Sequence, residues 1–259
     1  MRVGDAFMGK LVLIGGGENG YHKDLYETEA IDSEITALAD RKNPRFLFTG
    51  LANGNPDGYY GAMRRVFGKR FGCRTEYLTL QELNNPEKMM KKVDWADIIY
   101  AAGGNTLLEM RRFRKSGLGQ LLMEKFLDSD AVFCGLSAGA ICWCAYGASD
   151  SYHFEDEPWK LTKVSGLGFA DLTFCPHYTT EPSRKRGLTA LLQKEDDHLP
   201  AVALDYASLV ITDEGSHVTA IDDPRLAAYL YSWQDGAYQE TPIEPGKQFT
   251  SLRTNDFDF

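Results

Sequence analysis

The stretch that most constrains this chain is Ala131-Val-Phe-Cys-Gly-Leu-Ser137-Ala-Gly-Ala-Ile-Cys-Trp-Cys144. An apolar run of strand length reaches Gly135-Leu136-Ser137-Ala138-Gly139, and small and apolar residues come next, as at the start of a buried helix. This is the G-x-S-x-G elbow. Glycines at 135 and 139 let the chain turn sharply, and Ser137 then holds a strained backbone that lifts its hydroxyl clear of the sheet. The amide of Ala138 and the positive end of the next helix would both face an oxyanion formed beside that hydroxyl. Read alone, five residues of this kind are also an ordinary tight turn. The strand before them and the apolar segment after them favour the elbow.

Apolar runs and helical spacing alternate through the first half. Strands are predicted from Lys10 into a glycine-rich turn ending at Gly17, at Arg45–Gly50, Thr75–Leu80 and Ala96–Ala102, and from Ala131. Helices are predicted over Glu27–Lys42, Tyr59–Phe71, Pro86–Val93, from Asn105 or Thr106, and over Gly119–Leu127. Such alternation implies a parallel, doubly wound sheet with its working groups at the carboxyl ends of the strands. A polar loop is expected over 147–158. Leu172-Thr-Phe-Cys-Pro-His177 reads as a short strand and Ser183–Lys194 as a helix. From Pro200 the rhythm is strand and turn, so residues from about 200 to 259 are expected as a β-rich part covering the sheet edge of one 259-residue α/β domain.

Composition narrows the partners. A net charge of −9 argues against a nucleic-acid backbone or an anionic membrane, both of which need a basic face. Arg111-Arg-Phe-Arg-Lys115 reads as a solvated helix end. No run of eighteen apolar residues and no signal-type apolar run precede the first strand, so no membrane span or secretion signal is expected. Five cysteines (Cys73, Cys134, Cys142, Cys144, Cys175) without paired spacing suit a reducing cytoplasm, and as small buried thiols they predict no metal site. Gly15-Gly-Gly-Glu-Asn-Gly20 is a poor dinucleotide fingerprint, because its third glycine comes early and Glu18 would sit beside a pyrophosphate. No cofactor is expected.

A serine nucleophile needs a base, most often a histidine oriented by a carboxylate. Of His22, His153, His177, His198 and His217, only His177 ends a strand after the elbow, and His153 is its rival. Asp150, Glu155, Asp156 and Glu181 all lie in loops from which the third member can come.

Three motifs in order carry a resemblance: Ala101-Ala-Gly-Gly-Asn-Thr-Leu-Leu108, Gly135-Leu-Ser-Ala-Gly-Ala140 and Cys175-Pro-His-Tyr178. Across about Lys10 to Leu192 the chain resembles peptidase E, the aspartyl dipeptidases of serine peptidase family S51, which are related to class I glutamine amidotransferases and cyanophycinase. The resemblance implies a flavodoxin-like three-layer α/β/α fold and a cytoplasmic, metal-free hydrolase of dipeptides with N-terminal aspartate. It also implies Ser137 as nucleophile, His177 as base and Asp150 as the acid. Gly104 and Ala138 would be oxyanion donors, Gly103 and Asn105 would flank the substrate, and Arg184 or Arg186 would read its aspartate. A homodimer would fit the family habit. Hydrolysis of a β-aspartyl or cyanophycin-like dipeptide is the alternative within enzymes, and a non-catalytic binding protein is the alternative outside them. A cysteine-dependent glutaminase is disfavoured by serine at the elbow.

Overall fold

A computed structural model describes residues 8–22, 25–152, 161–194, 196–250 and 252 of the chain. Strands β1 (Lys10–Ile14), β2 (Arg45–Thr49), β3 (Arg74–Leu78), β4 (Ile98–Ala101) and β5 (Val132–Leu136) run parallel in the order β1-β5-β4-β2-β3. Continuous apolar runs of this kind need cover on both faces, and they get it. Val12, Ile14, Phe46, Phe48, Ile98, Tyr100, Val132 and Cys134 turn toward α1 (Glu29–Leu38) and α2 (Pro56–Met63, extended as a π-helical turn to Arg70). The alternate residues Leu11, Leu13, Leu47, Ile99 and Phe133 pack on α3 (Pro86–Trp95), α4 (Thr106–Ser116) and α5 (Leu118–Asp128). This is the flavodoxin-like three-layer α/β/α arrangement. Local chemistry sets the helix starts: the Asn55, Asn85 and Asn105 side chains accept from the backbone N–H groups of Gly58, Lys88 and Leu108.

The segment after the elbow departs from expectation. In place of a full helix there is one turn, α6 (Ala138–Ile141), succeeded at once by strand β6 (Cys144–Ser149), which takes in part of the expected loop. Trp143 explains the switch. Its fully buried ring packs edge-on to Phe133 and stacks on Phe169, and its indole N–H donates to the Cys134 carbonyl at 3.1 Å. Fixing that ring in the core, together with pairing of β6 to β8 (Ala170–Cys175), outweighs helix continuation.

β6 belongs to a second sheet, ordered β13-β12-β9-β8-β6-β7, with β7 at Thr162–Ser165, β9 at Ala201–Asp205, β12 at Ala227–Gln234 and β13 at Ala237–Pro242. Helix α7 (Ser183–Leu192) seals it through Leu188, Leu191 and Leu192. The C-terminal strands therefore do more than cover an edge. β10 (Ala207–Thr212) pairs antiparallel with β1 and carries β11 (Gly215–Ala220) outside it, so β1 becomes an interior strand.

Candidate active site

The elbow is built as its glycines require. A Cβ at Gly135 would lie 2.4 Å from the Gly139 carbonyl oxygen, and one at Gly139 would lie 2.0 Å from that of Ala101, so neither position admits a side chain without backbone movement. Between them Ser137 holds φ 56° and ψ −113°. A non-glycine residue there carries strain of about 1–3 kcal/mol, the mark of a backbone held in place by its surroundings. The Ser137 N–H donates to the Ile14 carbonyl at 3.0 Å.

His177 comes just after β8 and also sits at positive φ, 55°. Its N–H donates at 2.8 Å to the Gly15 carbonyl, the next one along from the carbonyl that holds Ser137. The elbow and the histidine turn are thus fastened to consecutive carbonyls at the end of β1. Ser137 and His177 line one cavity of about 380 Å³, walled also by Gly17–Asn19, Tyr21, His22, Asn53, Tyr59, Gly103, Gly104, Leu136, Thr180, Asp205 and Tyr206. It opens beyond the carboxyl ends of β1, β2, β4 and β5, where the connections leave toward opposite faces of the sheet. Among the described residues neither the serine hydroxyl nor the imidazole makes a side-chain hydrogen bond, and catalytic contacts in ligand-free sites commonly close only on substrate.

Burial holds the His177 imidazole below its ordinary 6.5. The Arg184 charge acts in the same direction, and Glu181, Asp205 and Asp150 oppose it. An imidazole held below 6.5 is predominantly neutral at pH 7.

Gly104 lines the cavity, and a Cβ there would lie 2.1 Å from the Ala52 carbonyl oxygen on a backbone with φ 148°. Among the described residues the N–H groups of Gly104 and Ala138 have no protein acceptor, which leaves both open to an oxyanion. Two of the expected roles change. Helix α6 is a single turn, so an anion beside Ser137 would meet the Ala138 amide itself rather than a long helix dipole. Asn105 is used structurally: its N–H donates to the Ala52 carbonyl at 2.9 Å, its Oδ1 caps α4, and its Nδ2 donates to the Ser151 carbonyl. Gly103 does face the cavity.

The acid and the arginines fall differently from expectation. Arg184 is 2% exposed. Its fork donates to Glu181 Oε2 at 2.6 Å, Asp150 Oδ2 at 3.0 Å and the Ala148 carbonyl at 3.1 Å. It is a buried strut, outside the cavity wall, and Asp150 and Glu181 are its partners. Arg186 is exposed on α7 and does not line the cavity. His153, Glu155 and Asp156 lie outside the described residues.

Two carboxylates share the cavity with His177, Glu18 and Asp205, and neither is among the acids expected from sequence. β8 and β9 are parallel with Cys175 opposite Ala203, and two residues further on each strand come His177 and Asp205. Asp205 is fully buried, and its Oδ2 accepts from the N–H and hydroxyl of both Thr179 and Thr180 at 2.8–3.1 Å. A Cβ at Gly16 would lie 2.0 Å from its Oδ1, so the glycine turn after β1 exists partly to admit this side chain. That glycine turn, and the place of Asp205 at the end of an apolar strand, were the available signals.

Comparison with known proteins agrees with this picture. The model of peptidase family S51 matches residues 11–219. The uncharacterized peptidase YgaJ of Bacillus subtilis is 29% identical over 236 residues, spanning 91% of this chain and 97% of that protein. The uncharacterized peptidase Lin0382 of Listeria innocua is 32% identical over 95 residues, 34% of this chain and 43% of that protein. Among solved structures, a peptidase from an acI-B1 actinobacterium superposes with a TM-score of 0.66 at 20% identity, over 95% of this chain and 98% of that one. A putative peptidase E protein from Listeria monocytogenes does so with a TM-score of 0.59 at 16% identity, over 83% of this chain and 100% of that one. Both likenesses concern the fold.

Proposed function

The chain belongs to peptidase family S51, and on that basis we propose that it is a serine peptidase acting on short peptides through an acyl-enzyme formed on Ser137. The observation that carries this reading is the strained Ser137 facing the same cavity as a neutral His177. In the first step the Ser137 hydroxyl adds to the peptide carbonyl carbon while His177 takes its proton. The oxyanion lies against the Gly104 and Ala138 amides, each such donor being worth about 2.7–4 kcal/mol of barrier. Collapse breaks the C–N bond, and the amine leaves with the proton from the imidazolium. Water then adds to the ester with His177 again as base, returning the free acid and the serine.

A cavity of about 380 Å³ suits a substrate of dipeptide size. Asp205 is assigned to orient the imidazole, because it lines the same wall as His177 while Asp150 lies outside that wall, paired with Arg184. The aspartate preference that the resemblance implies finds no support in the position of Arg184 or Arg186. Ser137→Ala and His177→Ala, assayed on a dipeptide panel and with a serine-directed phosphonate, test the mechanism. Loss of both turnover and labelling in Ser137→Ala is expected, and labelling that survives that substitution overturns the reading.

A further inference from the structure

The cavity wall holds two carboxylates, Glu18 and Asp205, and among the described residues no lysine or arginine. This is the opposite of what a carboxylate-reading pocket requires. Asp205 Oδ2 accepts from Thr179 and Thr180, its Oδ1 accepts from the Tyr206 N–H at 3.2 Å, and the residue shares the wall with the histidine. Glu18 is different. Its side chain is 35% exposed, and its ion-pair partner among the described residues is the exposed His22, whose Nδ1 lies 2.8 Å from Oε2. Its N–H donates to Glu27 Oε2 at 2.9 Å, which fixes the backbone that presents it.

The remaining walls near Glu18 are aromatic. Tyr21 stacks on Tyr59 with ring centroids 4.5 Å apart, and Tyr206 faces the same space. Tyr59 is locked there by Asn19, whose buried amide donates to the Tyr59 and Tyr100 oxygens at 2.6 and 2.9 Å. Phenol rings and a carboxylate around one space make a site for a positively charged nitrogen, through ring quadrupoles and ion pairing together. The nearest arginines are already used. Arg225 lies over the Tyr206 ring, 3.9 Å from its centroid, paired with Asp223 and Glu27, and Arg65 bonds the Gly20 and Gly61 carbonyls.

We infer that Glu18, with Tyr21, Tyr59 and Tyr206, selects substrates that carry a cationic nitrogen, so that this peptidase takes amino- or guanidino-bearing peptides in preference to acidic ones. The inference rests on the peptidase reading above for what the cavity is, and its test does not depend on turnover. Two sources supply such a nitrogen, a free α-ammonium and a lysine or arginine side chain.

Binding to Ser137→Ala protein is measured by calorimetry with Lys-Leu, norleucyl-Leu, Asp-Leu and the N-acetylated form of each, and repeated with Glu18→Gln added. Lys-Leu is expected to bind at least about tenfold more tightly than Asp-Leu, and Glu18→Gln to weaken Lys-Leu by about tenfold while leaving N-acetyl-norleucyl-Leu unchanged. A loss on N-acetylation identifies the α-ammonium as the group read, and a loss from lysine to norleucine identifies the side chain. Tighter binding of Asp-Leu, or a Glu18→Gln protein that binds every peptide as its parent does, overturns the inference. Absence of turnover with intact binding selectivity would count against the acyl-enzyme mechanism alone.

Discussion

Asp32 lends itself to a quantitative test, because the structure sets both the sign and the size of its effect. The residue lies in the first turn of α1 and is fully buried. Its Oδ2 accepts from the Thr28 hydroxyl at 2.8 Å and the Tyr26 hydroxyl at 3.1 Å, while Oδ1 has no partner among the described residues. Burial raises its pKa from 3.8 to about 7, against the lowering effect of those two hydroxyls. The folded state therefore holds this proton more tightly than the unfolded chain does. Its contribution to stability is whole below the unfolded value and is lost as pH rises from there through the folded value. At about 1.36 kcal/mol per pH unit the full loss is about 4 kcal/mol, of which about 3 kcal/mol falls between pH 5 and pH 8.

Asp32→Asn removes the titration and keeps one oxygen for the two hydroxyls, at a pH-independent cost of about 1–3 kcal/mol for the amide placed where Oδ1 had no partner. Urea unfolding of both proteins at pH 5, 6, 7 and 8 gives the difference directly, with the other carboxylates cancelling. The variant should gain about 3 kcal/mol on the parent across that range. A difference that stays flat with pH would refute the argument, because it would mean the buried carboxyl carries no excess proton when folded.

Gly104→Ala should lower kcat by about 10²- to 10³-fold, since the added methyl meets the Ala52 carbonyl oxygen and displaces an oxyanion donor; unchanged kcat in a folded variant would remove Gly104 from that role. Because burial and Arg184 hold His177 below 6.5, kcat/KM on a substrate that does not titrate in this range should rise with pH along a limb centred below that value and be on plateau at pH 7. A limb at or above 6.5 in the pH–rate profile would contradict the assignment of cause. Asp205→Asn should cost on the order of 10³-fold in kcat, and Asp150→Asn distinctly less at equal stability; the reverse ranking would return the orienting role to Asp150.

The parallel half of the fold was legible because β1, β2, β4 and β5 are apolar runs without alternation and several helices carry their own start signal, such as Asn85-Pro86 or Asn105. The elbow was legible for a related reason, since its glycines are demanded by backbone oxygens that any such turn brings close. The segment beyond Ile141 was not legible. Small apolar residues suit a helix and a strand equally, and the choice was made by the seat of Trp143 and by strand partners far along the chain, such as Phe174 opposite Gly147. The same limit applies to the acid. Asp150 and Asp205 stand almost equally far from His177 in sequence, on either side of it, but a parallel register brought Asp205 into the same wall, and the arginine expected to meet substrate was drawn into the core by two carboxylates.

The two adjacent oxygens at the end of β1 that hold the backbones of Ser137 and His177 act as a jig. The spacing of the two backbones is machined into an interior strand of the sheet, while the rim of the cavity, residues 17–22 and Asn53, hangs from separate loops. Recognition can then be recut, residue by residue, without retuning the chemistry.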